Sequence, residues 1–466
     1  MGNTTIIILM LVLYCAFMVA VTLWGRSKQK GQNVKDFLTA GQEGSLATIA
    51  CAYLGDHVGT GIIIGGAAYG ATVGIGGSWY GLGAAFSFVL FGVLVAGWAR
   101  NNNYVTIPAY LRDRYKKTGR VMSLIWVFLT ACVGIATLTG QIIAGRQLFE
   151  FLGINPLTGS IIAVTVILLY CSITGMWGVL TLGFWQAVII IIGLVIALIM
   201  VLGGGGWGMV RSNLDANYFN LFPFDGWTMF TLVVPTMIFG LTSNSCIQLS
   251  VSAKDKKTAI GGALVGAALV AGITFLPVIL GMYGAAAYPE AATGSIIFTV
   301  ILDTLPSAVA GLLLAAIIAA VMSTCDTALM TFATCTVYDA YGNVIAPMLG
   351  HKPNEKGLRN ACAFMPVLAM IFALILSFTS NNIIGVLTSG YSLFVAGSVV
   401  PFLGGRYWKK ASSIGGLAAM IAGAACAWMN LLGIITLPTT VISLIPSLIA
   451  FVIFSLLFPD KVESGG

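Results

Sequence analysis

Ser323, Thr324, Asp326 and Thr327 place four oxygen-bearing side chains within five residues, inside the apolar stretch 311–341. Leu312 to Met322 precede them without a single polar side chain. Such a run crosses most of a bilayer, where a polar cluster is costly unless it faces protein, water or an ion. Hydroxyls and a carboxylate are hard donors, suited to a hard cation rather than a soft metal. The stretch reads as part of an ion path. The plain alternative is that Ser323 and Thr324 bond back to the preceding turn of their own helix, and that Asp326 is a polar cap bonded to neighbouring helices.

Two further polar groups interrupt apolar runs. Residues 55–66, GDHVGTGIIIGG, combine five glycines with Asp56 and His57, and residues 240–248, GLTSNSCIQ, hold a glycine and a run of small polar side chains. A carboxylate and an imidazole in an unwound helix can bind solute, pair with each other or carry a proton. A structural hydrogen bond that braces the break is the blander role. Thr242, Ser243 and Asn244, together with Thr60, Trp79, Tyr80, Thr139 and Gln141, complete the candidate pocket. Trp79 and Tyr80 also suit an interfacial anchor.

The elements that must position these groups are membrane helices. Of the 466 residues 58% are hydrophobic and 8% charged, against about 25% charged in a soluble domain. Mean hydropathy is +0.98. Nine cysteines lie in apolar segments without Cys-x-x-Cys spacing and read as small buried hydrophobes. The first apolar run lacks a basic leader and a small-residue cleavage site, so it reads as a retained span.

Apolar runs of about 20 residues fall near 5–24, 45–70, 77–99, 121–152, 157–175, 179–204, 227–250, 258–287, 307–340, 360–379, 383–404, 413–432 and 438–458, which predicts 13 spans. On that count 20 of the 22 basic residues fall in loops on one side. These include Arg26, Lys28, Lys30 and Lys35 after the first span and Lys461 after the last. The positive-inside rule then sets the N-terminus outside and the C-terminus in the cytoplasm of a plasma-membrane protein. The net charge of +7 is thereby an orientation signal, and a nucleic-acid partner is not indicated. The loops are too short for a soluble domain, and no obligatory protein partner is evident.

Omitting the first span, the two interrupted runs are spans one and six of ten. Paired interruptions five helices apart mark an inverted-repeat transporter. The chain divides accordingly into 1–40 (first span and inside loop), 45–204 (first five-helix repeat), 227–404 (inverted repeat) and 413–458 (two extra helices), all within one transmembrane domain.

Five pieces in register with this topology carry a resemblance: AAVMSTCDTALM followed by TVYDAY, YVTIPAYLRDRY, GFWQAVI, QLSVSAKDKKTA and VVPFLGGRYWKKAS. With them the chain resembles the solute:sodium symporter family, over about residues 5–430. The resemblance implies an all-α membrane protein of LeuT type, a five-plus-five inverted repeat with one extra N-terminal and two extra C-terminal helices. It also implies a sodium site of two hydroxyls, Ser323 and Thr324, with the carbonyls of Ala320, Gly55 and Val58. No cofactor is expected beyond sodium as coupling ion. Members with a second sodium carry an Asp where this chain has Gly183, which favours one ion per solute. Asp326 falls where those members place a site serine. The Gln-Arg pair that the family carries after the seventh span is Gln248-Leu249 here.

The expected function is sodium-driven uptake of a small polar or anionic organic solute by alternating access. A proton-coupled permease using Asp326, Asp56 or His57 is the alternative in the same class. A channel is less favoured, because channels build pores from oligomeric rings. An enzyme would need a nucleophile–base or metal constellation, and none can be assembled.

Overall fold

A computed structural model describes residues 2–28, 34–151, 153–171, 175–379, 383–437 and 440–460. Lys30 and Lys461 of the charge pattern lie outside them. Among the described residues the chain is helical throughout, and its one β-type contact is an isolated bridge between Gly44 and Ala253. Among the described residues nine helical stretches are long and apolar enough to cross a membrane, and the bent pair Gly226–Thr242 and Asn244–Ser252 makes a tenth. One of the nine, Gly61–Asn102, changes direction at Gly74, where φ is +72°. The shorter apolar helix Leu444–Leu457 follows the last of them.

The helix Ser307–Ala333 forms the centre. It packs on Gly175–Gly203 and Gly119–Phe151, and on its outer side against the N-terminal helix Gly2–Lys28. Twenty-one of its 27 residues are buried, Ser323 to Thr327 among them. Polar side chains at that depth must find partners in the protein, and the two interrupted helices supply them.

Both interruptions are real breaks. Ser45 caps the first half-helix, Leu46–His57, by accepting from the Thr48 amide at 3.2 Å. That helix stops at Val58, whose φ and ψ of −80° and 68° are not helical, and resumes as a wide turn over Gly61–Gly65. The second break is a bend. Ser243 is extended (φ −68°, ψ 125°), and the halves on either side are bent by 47°. Tyr53, fully buried, ties the two broken helices together: its hydroxyl donates to Cys246 O at 3.0 Å and lies 2.9 Å from Ser250 Oγ.

The basic loops gather at one end of the bundle. Gly44 N donates to Ser252 O (2.9 Å) and Lys254 N to Gly44 O (3.0 Å). Arg100 clamps the same turn, donating to Ala253 O at 2.6 Å and Lys254 O at 3.1 Å. Arg114 donates to the carbonyls of Gly405 and Ala411, and Arg112 pairs with the fully buried Asp339 at 3.1 Å. Removing one partner of such a pair typically costs about 3–5 kcal/mol. This end is sealed by backbone and guanidinium contacts.

Candidate ion and solute site

The first break lies directly on the polar turn of the central helix. A Cβ at Gly59 would stand 2.6 Å from Thr324 Oγ1, and one at Gly55 would stand 3.0 Å from Ser323 Cβ. Only bare backbone permits that approach. Thr324 Oγ1 donates across the gap to Gly55 O at 3.0 Å, whereas Ser323 Oγ turns back to Ala320 O at 3.1 Å. The two hydroxyls therefore divide between the readings open to them: one bridges the helices, the other bonds within its own. Val58 is wholly buried at the helix end, where the last carbonyls of a helix lack intrahelical partners. The structure thus brings Gly55, Ala320, Ser323 and Thr324 together with Val58 close by.

Beside this point lies a cavity of about 50 Å³, enough to hold water. Asp56, His57, Ser243, Asn244, Thr324 and Thr327 of the expected residues line it. Asp56 Oδ2 accepts from Ser245 Oγ at 2.8 Å and lies 3.2 Å from His57 Nδ1. The imidazole rests edge-on against Phe88, with ring centroids 4.5 Å apart. Asn244 is engaged elsewhere: Oδ1 accepts from Ile107 N at 3.0 Å and Nδ2 donates to Cys335 Sγ at 2.9 Å.

Other expected residues are placed apart from the cavity. Trp79 donates from Nε1 to Leu221 O at 2.7 Å and packs on Phe222, so it anchors the 214–225 segment. Thr139 bonds to Ile135 O and Ala373 O. Thr242 is joined by Ser398. Gln141 holds the break itself, its Oε1 accepting from Thr60 N at 3.4 Å. Tyr80 is buried and bonded to Tyr391, where it stands against Gly61. Asp326 opens into a separate small cavity with Val179, Met330 and Cys362. It faces the Gly175–Gly203 helix, as a carboxylate on the side opposite Gly183 would.

The sequence reading missed the far wall of the cavity. Phe239 and Tyr391 stack at 4.3 Å and 21°, and Phe394 stands edge-on to Phe239 at 5.7 Å. Thr130, Thr137, Ser245 and Thr331 add hydroxyls. Ser245 alone had a signal, since it belongs to the polar run of the second break. The others sit in apolar spans with nothing local to distinguish them from packing residues.

Residues 37–423 match the family model described as "Sodium:solute symporter family". The chain belongs to the sodium:solute symporter family. This symporter is a multi-pass membrane transporter that couples solute movement to sodium, and it is not an enzyme. It is similar to a sodium/myo-inositol cotransporter 2 of Mus musculus, 24% identical over 89% of this chain and 68% of the relative. It is also similar to a sodium/pantothenate symporter of Haemophilus influenzae, 25% identical over 98% of this chain and 97% of that one. In fold it resembles a Na+-coupled sialic acid symporter solved in a substrate-bound outward-open state, with a TM-score of 0.82 at 18% identity, covering 98% of this chain and 99% of that chain.

Proposed function

We propose that this symporter binds sodium between the first break and the central helix, on Gly55, Val58, Ala320, Ser323 and Thr324. The solute occupies the adjoining cavity lined by Asp56 and His57. The observation that carries the ion site is the 3.0 Å contact between Thr324 Oγ1 and Gly55 O, made possible by two glycines that a Cβ would obstruct. Sodium would take the place of that hydrogen bond, the Thr324 hydroxyl keeping its proton but turning it away so that lone pairs from both sides face the ion. Five uncharged oxygens hold a monovalent cation weakly enough for it to leave again, as transport requires.

The architecture proposed is thirteen spans, a five-plus-five inverted repeat over 45–204 and 227–404, the N-terminus outside and uptake across the plasma membrane. The cluster of Arg100, Arg112, Arg114 and Lys254 at one end supports that orientation. Replacing both Ser323 and Thr324 by alanine removes two of the five ligands. The expected result is a rise of about tenfold or more in the sodium concentration for half-maximal uptake, each decade being about 1.4 kcal/mol. Wild-type sodium dependence in that variant defeats the assignment. The His57–Asp56 contact favours a second reading, in which a proton substitutes for sodium, and uptake driven by a pH gradient without sodium is its signature.

A further inference from the structure

The cavity's side chains are already committed in a way that fixes what they can offer a solute. Thr324 gives its hydroxyl proton to Gly55 O, Thr327 to Thr324 O, Thr331 to Gln248 Oε1 and Ser245 to Asp56 Oδ2. With those protons donated inside the protein, each hydroxyl presents lone pairs to the cavity. His57 agrees with them. Its side chain is 5% exposed, Nδ1 lies 3.2 Å from the Asp56 carboxylate, and neither ring nitrogen makes a hydrogen bond within the protein. A buried polar atom without a partner is costly, and the imidazole lines the solute cavity, where a solute donor would satisfy it. No lysine or arginine lines that cavity.

The break also has a positive end. The half-helix Asn244–Ser252 begins at the cavity, and a helix N-terminus is a natural seat for an anion. In this chain the protein's own carboxylate takes that seat, through the 2.8 Å bond from Ser245 to Asp56. A solute carboxylate entering here meets Asp56 at close range, the lone pairs of the four committed hydroxyls, and no lysine or arginine to pair with, only transported sodium.

We infer that the solute is uncharged or cationic and presents several O–H or N–H donors to Asp56 and His57 Nε2, and that carboxylates and phosphates are excluded. The stacked pair Phe239 and Tyr391 supplies an apolar wall for its carbon face. This inference rests on the cavity being the solute site of the sodium-coupled reading. It narrows the expectation of a polar or anionic solute to its first half.

The test is a thermal-shift panel on the purified full chain in sodium and in potassium. Each skeleton is supplied in matched forms: hexoses and cyclitols, their amines, and their uronic or carboxylic acids, with pantothenate added to the acids. The expected result is stabilisation in sodium by members of the uncharged or amine arm, with their acids at least about tenfold weaker. Asp56→Asn is expected to weaken the uncharged ligand by about tenfold and to narrow the gap to its acid, because the negative charge that repels a solute carboxylate is removed. An acid that binds in sodium as well as its uncharged partner overturns the inference, and so does silence of the whole uncharged and amine arm. The wild-type panel decides the matter alone should the variant fail to fold. A melting point that sodium itself does not raise counts against the sodium-site reading, separately from the solute class.

Discussion

Asp56 and His57 carry the most information per atom in this chain. Their residue types already mark them in the sequence, since a carboxylate and an imidazole inside a Gly-rich break demand partners. Their actual partners were not legible there, because Ser245 and Phe88 reach them from distant segments. Asp56 is bonded to Ser245 independently of the imidazole, whereas His57 lines the cavity with ring nitrogens that make no hydrogen bond in the protein. His57→Ala is therefore expected to weaken solute binding by about tenfold, in the range of a lost buried hydrogen bond, while the sodium affinity changes much less. Paired isotherms for solute and for sodium check this. Unchanged solute affinity with a lowered melting temperature would make the imidazole a brace for the break.

Among the elements, the two broken helices were visible as runs of glycine and small polar residues, and the approach of the first to the Ser323–Thr324 turn was implied by the family resemblance. The geometry of their outer walls was not. Phe239, Tyr391 and Phe394 belong to spans whose composition is uniformly apolar, so no periodicity separates a cavity wall from a packed face. Capping was equally unremarked, yet it sets where helices begin on the basic face. Asp255 caps the helix Lys256–Ile273 by accepting from the Thr258 amide at 2.7 Å. That bond from the Thr258 backbone, with help from the Thr258 side chain, holds its carboxyl below the usual range. A carboxyl depressed in the folded state contributes stability above its unfolded pKa, about 3.9, and loses it as pH falls through the folded value. Asp255→Ala is accordingly expected to melt below wild type at neutral pH. The difference should begin to narrow below about pH 4 and close as the pH falls through the depressed folded value, and a gap that persists in stronger acid would show that the cap charge is not its source.

At the scale of the whole molecule, alternation of basic loops anticipated a bundle with one charged end, and the contacts of Arg100, Arg112 and Arg114 draw that end together. The cavity beside the two breaks sits where alternating access requires a central site between the repeats. Gly183 packs its backbone on Ala52 with no side chain to offer an ion. One sodium per solute is expected, with a Hill coefficient near one in sodium titrations of uptake and a matching reversal potential. Two sodium ions per solute would instead assign Asp326 a ligand's role.

Accumulation in proteoliposomes is the most direct measurement, with the solute class identified by thermal shift supplied on both sides of the membrane. An inward sodium gradient should concentrate the solute inside, and the Ser323→Ala/Thr324→Ala variant should require far more sodium to do so. A pH gradient alone should drive nothing. Equilibration without accumulation under the sodium gradient, or accumulation driven by protons in the absence of sodium, would contradict sodium coupling at this site.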